Sequence, residues 1–329
     1  MNRSYFKNQR VLVAGASGFI GHWLCQKLSG MGAVVRGTYH KNKPSEIIKG
    51  VEYINADLTS HEQCKIASSG IDIVIMAAAN SSGAGVMQNS PLAHLTPNVL
   101  MNTLLLAAAY ENKVKKFCFI SSNTVYPVTD SAVTEECVNN KFFHKYEIVG
   151  GMKLFSESMC RMYSNNVSPS MSTIIIRPGN LYGPHDKFNR KESKVIAALI
   201  RRSLEKQNPF QVWGDGEDIK DFLYVEDFVE GLLEAVSAGD HFNIYNIAAG
   251  KPISIKEALD IILNKAGHGS AKVEFDLTKP TMIPKRLIDI EKIKTNTSWR
   301  PTIDFETGIE RTVAWYRTYF EEFSPEEKK

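Results

Sequence analysis

The stretch KYEIVGGMKLFSE, residues 145–157, holds two side chains able to move protons, the phenol of Tyr146 and the amine of Lys153, with Gly150 and Gly151 between them. A cation beside a phenol lowers its pKa and makes it a usable general acid. On a helix that partnership needs a spacing of three or four residues, whereas Tyr146 stands seven before Lys153. Val149, which has no proton to give, occupies the position four before the lysine. Tyr146, brought in by a helix start that the two glycines loosen, and His144 are the side chains at hand. A displacement of one helical turn is ~5 Å, more than proton transfer tolerates. A second constellation is better defined. GASGFIG runs from Gly15 to Gly21 through Ser17, Gly18, Phe19 and Ile20, after an apolar run and at the start of a helical pattern. Glycines in that context let backbone approach a pyrophosphate, aim free N–H groups at it and pack the helix closely on the strand before it, which points to a dinucleotide.

The elements that must position these groups alternate along the chain. Short apolar runs at 10–16, 33–39, 51–57, 71–79, 115–122 and 172–178 read as strands, and between them GFIGHWLCQKLSG, SPLAHLTPNVLMNTLLLAAAYENK and MKLFSESMCRMYS carry apolar residues at helical spacing. Such alternation implies parallel strands joined by crossovers, hence an α/β fold with a doubly wound, Rossmann-like parallel sheet. Beyond 178 the regularity loosens, and further amphipathic helices are expected near 193–206 and 254–267. The expected organisation is a dinucleotide-binding domain over 1–178 with a return segment near 221–250, and a smaller carboxy-terminal substrate-binding domain over 179–220 and 251–329. The tail EEFSPEEKK is expected to fray.

At the end of the second strand there is no carboxylate to hold an adenosine ribose hydroxyl; Tyr39, His40 and Lys41 stand there instead and suit a 2'-phosphate, favouring NADP over NAD. Asp57, with Leu58 beside it, is placed to meet the adenine edge, and Ala77, Ala78 and Ala79 leave room for a cofactor over the fourth strand. A chain of 329 residues with net charge +3 and no basic block argues against a nucleic-acid partner. No apolar run reaches membrane-spanning length, and five scattered cysteines without a C-x-x-C pair read as reduced thiols, so a cytoplasmic protein is expected.

The G-x-x-G-x-x-G spacing, ISSNTVYP and RPGNLYGPHDKF together resemble the extended short-chain dehydrogenase/reductase (NAD-dependent epimerase/dehydratase) family. Within it, GPHDKFNRKESKVIAALIRR, VWGDGEDIKDFLYVEDF and DLTKPTMIPKRLIDI are similar to the GDP-fucose synthase branch, whose members epimerise and reduce GDP-4-keto-6-deoxymannose. The resemblance implies that Ser122 binds the sugar oxygen at the carbon exchanging hydride, that Lys153 holds the nicotinamide ribose and tunes a tyrosine four residues earlier, and that Pro178 lies in the cofactor site. At the tyrosine position this chain has Val149. At the branch's two epimerising positions, a cysteine and a histidine, it has Thr124 and Lys194, which implies that double epimerisation is lost or altered. His185 of the GPH segment is retained and reads as structural as much as chemical.

The groove for a nucleotide sugar is expected from Asn180, from Val195, Leu199 and Arg202 at i, i+4 and i+7, from Trp213 on an apolar strand, and from cations at Lys220, Lys279, Lys285 and Arg286. These residues fit an NDP-sugar, and the resemblance favours GDP and a homodimer formed through two helices of the sheet domain. The function so implied is NADP-dependent reduction, with or without epimerisation, of a nucleotide-linked 4-keto sugar, with altered proton-donor chemistry. The alternatives are an NDP-sugar epimerase or dehydratase using transient oxidation, and a non-catalytic nucleotide-sugar-binding homologue.

Overall fold

The computed structural model of the protein describes residues 4–80, 92–190, 192–279 and 281–323, so the last residues of the tail, 324–329, lie outside the described part. In chain order the first half comprises β1 (Arg10–Ala14), α1 (Phe19–Gly30), β2 (Val34–Tyr39), β3 (Val51–Asn55), α2 (His61–Ser68), β4 (Ile73–Met76), α3 (Leu92–Glu111), β5 (Lys116–Ile120), α4 (Glu147–Asn165) and β6 (Ser172–Pro178). The second half adds β7 (Asn180–Tyr182), α5 (Val195–Leu204), β8 (Phe210–Trp213), β9 (Ile219–Tyr224), α6 (Val225–Ala238), β10 (Phe242–Ile247), β11 (Pro252–Ser254), α7 (Ile255–Lys265), β12 (Val273–Asp276), α8 (Glu291–Asn296) and α9 (Phe305–Phe323).

Seven strands form one parallel sheet in the order β3-β2-β1-β4-β5-β6-β10. Its central strands are covered on both faces, which is why RVLVA, IVIM and KFCFI read as continuous apolar runs rather than as alternating ones. Val11 and Val13 point into one core with Leu24, Leu28 and Phe228, while Leu12 and Ala14 point into the other with Leu105, Phe117 and Ile175. The chain reverses direction across the sheet beside β1 and β4, and that reversal opens a crevice at the carboxyl ends of the strands, where ligands of such sheets bind.

The return segment divides in two. Strand β10 joins the main sheet beside β6, as the sequence suggests for HFNIYNIAAG, but FLY belongs to β9, which pairs in parallel with β7 and antiparallel with β11 in a separate three-stranded sheet. A third core of Tyr182, Phe210, Phe222, Leu259 and Ile262 lies there, beside a two-stranded pair of β8 and β12. Helix α2 was not anticipated from the apolar pattern; its start is set by Ser60, whose side chain accepts the Gln63 N–H. No helix among the described residues is long and apolar enough to cross a membrane. The five cysteines are free, and all but Cys137 are buried.

Candidate functional site

The glycine turn has the geometry its spacing implies. Gly15 adopts φ +82°, a conformation that side chains rarely take, and a Cβ there would lie 2.6 Å from Ala78 Cα. A Cβ on Gly21 would lie 2.0 Å from the Gly15 carbonyl oxygen, so α1 can start against the turn only with glycine at that position. The turn is held from β2, where Thr38 Oγ1 accepts the Gly15 N–H at 3.0 Å and the Thr38 carbonyl accepts the Ala16 N–H at 2.7 Å. Helix α1 opens at Gly18 without a side-chain cap, through Phe19 and Ile20, with half-buried Ser17 just before it. An uncapped N-terminus at the mouth of the crevice fits a pyrophosphate, so the residues present suit a dinucleotide.

At the far edge of the same crevice, His40 and Lys41 are exposed just past β2, and Tyr39 is half-buried. The Asp57 carboxylate accepts both the N–H and the hydroxyl of Thr59, which hold it below its usual range, with smaller contributions from the charges of His40 and Lys41. Leu58 is buried, Ala77 and Ala78 are half-buried, and Ala79 is exposed. Pro178 closes β6, and its carbonyl accepts from Asn123 at 2.9 Å.

The candidate catalytic groups gather around the end of β5. Ser122 caps a single 3₁₀ turn, Asn123–Val125, and its Oγ accepts both the Thr124 N–H at 3.2 Å and the Thr124 hydroxyl at 3.0 Å. Lys153, on α4, donates to the Ile120 carbonyl at 2.7 Å and lies over the Phe119 ring. Burial lowers its ammonium to about 8, partly offset by Glu157 one turn along the helix. Gly150 brings α4 onto the serine turn: a Cβ there would sit 2.7 Å from the Thr124 carbonyl oxygen and 2.6 Å from Phe142.

Tyr146 lies elsewhere. It ends a 3₁₀ turn, His144–Tyr146, that docks on the loop 281–283: Lys145 donates to the Thr281 carbonyl at 2.6 Å, and the Tyr146 hydroxyl accepts from the Ile283 backbone N–H. Burial raises its phenol to about 12, the opposite direction from that which proximity to Lys153 would impose. Among the described residues no hydrogen bond or ion pair joins Tyr146 to Ser122 or Lys153, so the expectation that Tyr146 stands in for the missing donor gains no support from its contacts. Lys194 is exposed at the N-terminus of α5, so the burial that would tune it as an acid or base is absent.

Beneath the site runs a buried polar network that the motif reading missed. Arg177 binds Glu157 through two hydrogen bonds, at 3.0 and 2.6 Å, and donates to Tyr126 Oη and the Glu135 carbonyl; Ser121 donates to Glu157, and Tyr126 to Asn246. It fixes α4, and with it Lys153, to β6 and β10. Arg177 and Tyr126 stand inside the segments RPGN and TVYP, so their residue types were visible while their pairing was not.

On the other wall, Trp213 is half exposed on β8, Val195 is 39 % exposed and Asn180 donates to the Asp221 carbonyl at 3.1 Å. Leu199 is buried in the third core, so Val195, Leu199 and Arg202 do not share one open face. Arg202 stacks on Phe210 and donates to Gln207 and to the Gln211 carbonyl. Lys220 is buried, with two of its donors on Asp218 and the Ile283 carbonyl. Arg286 is 1 % exposed and donates to the carbonyls of Tyr126 and Pro127; the reading of it as a cation of the nucleotide-sugar groove is corrected, because it joins two loops inside the protein. Lys279 is exposed, and Lys285 lies 3.9 Å from Asp130.

A protein at 28 % identity over 94 % of this chain and 92 % of its own length is a putative GDP-L-fucose synthase 2 of Arabidopsis thaliana. GDP-mannose 3,5-epimerase 1 of Oryza sativa subsp. japonica is 26 % identical over 95 % of this chain and 82 % of its own. Among solved structures, the UDP-glucose 4-epimerase of Thermus thermophilus in complex with NAD superposes with a TM-score of 0.82 at 25 % identity, covering 94 % of this chain and 99 % of that one. Residues 11–248, from β1 through β10, match the NAD dependent epimerase/dehydratase family, and the chain belongs to that family.

Proposed function

We propose that this protein is an NADP-dependent reductase of a nucleotide-linked 4-keto sugar, GDP-linked, acting as a homodimer in the cytoplasm. The observation that carries the reading is the placement of Ser122 and Lys153 at the end of β5, Lys153 on the Ile120 carbonyl two residues before the serine and Thr124 donating to Ser122. Since Ser122 Oγ accepts two hydrogen bonds from Thr124, its own hydrogen is left to donate to a sugar carbonyl oxygen. Lys153, with an ammonium near 8, is the acid closest to neutral pH at this site and supplies the proton that a phenol at position 149 would relay. When bound, the nicotinamide supplies the hydride.

The remaining assignments follow from placement. His40 and Lys41 at the end of β2 take the 2'-phosphate, the exposed face of Trp213 stacks a base, and the third donor of Lys220 reaches a phosphate. Epimerisation is not part of the reading, because Thr124 is spent on Ser122 and Lys194 stands in solvent. Phe155 and Met162, seven apart on α4, and Leu100 on α3 are exposed apolar side chains that a second copy would cover. Val149 itself favours a second reading, a nucleotide-sugar-binding homologue without turnover. Mass analysis of small molecules released from the purified protein, followed by NADPH oxidation against GDP-, UDP- and dTDP-linked 4-keto sugars, separates the two. Oxidation with the GDP-linked substrate supports the reductase; bound nucleotide sugar without oxidation of NADPH by any of them supports the binding protein.

A further inference from the structure

Outside the crevice, one cluster brings three metal-ligating side chains from distant segments to a point. His22 lies on α1 directly after Gly21, Glu46 in the loop after β2, and His185 in the loop after β7; one donor atom from each lies within 4.8 Å of the others. The two imidazoles are stacked, with ring centres 3.7 Å apart and planes 25° apart, and His22 Nε2 is 3.9 Å from Glu46 Oε2. We propose that His22, His185 and Glu46 form a binding site for a divalent transition ion of the zinc class.

His185 holds φ +68°, an uncommon conformation for a side-chain-bearing residue, and this brings its ring over His22. Next to it, the Trp23 indole donates to the Pro184 carbonyl at 3.0 Å, so the residue after one histidine is bonded to the residue before the other. Trp315 packs on the far side of His185, with ring centres 4.9 Å apart. His185 thus lies between His22 and Trp315, while Glu46, the third donor, is exposed and free to close. Two imidazoles with one carboxylate suit zinc, cobalt(II) or copper(II) rather than calcium or magnesium, which take oxygen donors. Bonds of about 2.0–2.2 Å bring donors of a tetrahedral site to within about 3.5 Å of one another. From the stacked arrangement, ligation requires one imidazole to turn out of the stack, so that the in-plane lone pairs of both rings meet at the ion, and Glu46 to swing in. Solvent completes the fourth position. Such an ion would tie the loops 40–50 and 183–188 to the start of α1.

The test uses the full chain, stripped with chelator, titrated with zinc chloride by calorimetry and with cobalt(II) by visible absorption. One equivalent of zinc is expected to bind and raise Tm, and cobalt(II) to give the intense d–d bands of a tetrahedral site. Glu46→Gln, an exposed and conservative change, and His185→Asn, which tolerates the left-handed conformation, should each weaken zinc by at least about tenfold with unchanged circular dichroism. Absence of zinc and cobalt binding by the wild-type chain, or affinities that neither variant alters, would overturn the assignment.

Discussion

Val149 decides what the residues around it must do. On the proposed reductase reading, with an aliphatic side chain four before Lys153, the proton for a reduced carbonyl is assigned to Lys153 Nζ, whose acidity burial has moved towards neutral pH. Its pKa is lowered, so the protonated form predominates below about 8 and is lost above it. For the free enzyme, kcat/KM on a 4-keto sugar should therefore be level at lower pH and fall as pH rises through about 8, and a flat profile across that region would remove Lys153 as the donor. The same shift makes a stability claim. The folded state binds fewer protons than the unfolded chain between about 8 and about 10.4, so stability from this group rises with pH across that window, and burial of the charge costs stability below it. Lys153→Met should abolish turnover while leaving Tm at neutral pH unchanged or higher, which distinguishes a chemical role from a structural one. Tyr146→Phe should leave turnover within a factor of about 3, whereas Val149→Tyr should raise it by up to ~10²-fold or shift its pH optimum, since a positioned general acid is worth ~10²- to 10⁴-fold. A severe loss in Tyr146→Phe with cofactor binding intact would return the phenol to the site.

At the scale of elements, the adjacent glycines of α4 separate position from propensity. Gly150→Ala should cost activity by at least about tenfold, because its Cβ would sit 2.7 Å from the Thr124 carbonyl oxygen and push the helix, with Lys153, off the serine turn. Gly151→Ala meets nothing within 4 Å and should raise helix stability by up to about 1 kcal/mol, measured by denaturant unfolding, with activity retained. The strands and the glycine turn were legible in the sequence because both obey local rules: buried parallel strands read as apolar runs, and only glycine fits φ +82° against Ala78. Helix α2 escaped because its eight residues, HEQCKIAS, bury only Cys64, Ala67 and Ser68, and its signal is a cap rather than an apolar face. The fate of Tyr146, Lys220 and Arg286 was not legible for a different reason. Each has a partner more than sixty positions away, in the loops 126–127 and 281–286, and a polar side chain reads the same in sequence whether it meets a ligand or a distant backbone group.

For the whole molecule, the network from Arg177 through Glu157, Tyr126 and Asn246 makes one body of the sheet and the wall of the site. Assembly is the next level. On the proposed dimerisation through α3 and α4, Phe155→Glu, on the exposed face of α4, should give a monomer in size-exclusion chromatography with the far-ultraviolet spectrum unchanged; a wild-type monomer would contradict the proposal. The reductase reading is tested most directly by following the hydrogen itself. The protein is incubated with NADPH deuterated at the transferring carbon and a GDP-linked 4-keto-6-deoxy sugar, and the sugar product is analysed by mass spectrometry and proton NMR. Deuterium at C4 of a 4-hydroxy product, formed in step with NADP and lost in Lys153→Met, is the predicted result. Recovery of the keto sugar unlabelled, with NADPH unconsumed while both ligands bind, would contradict it.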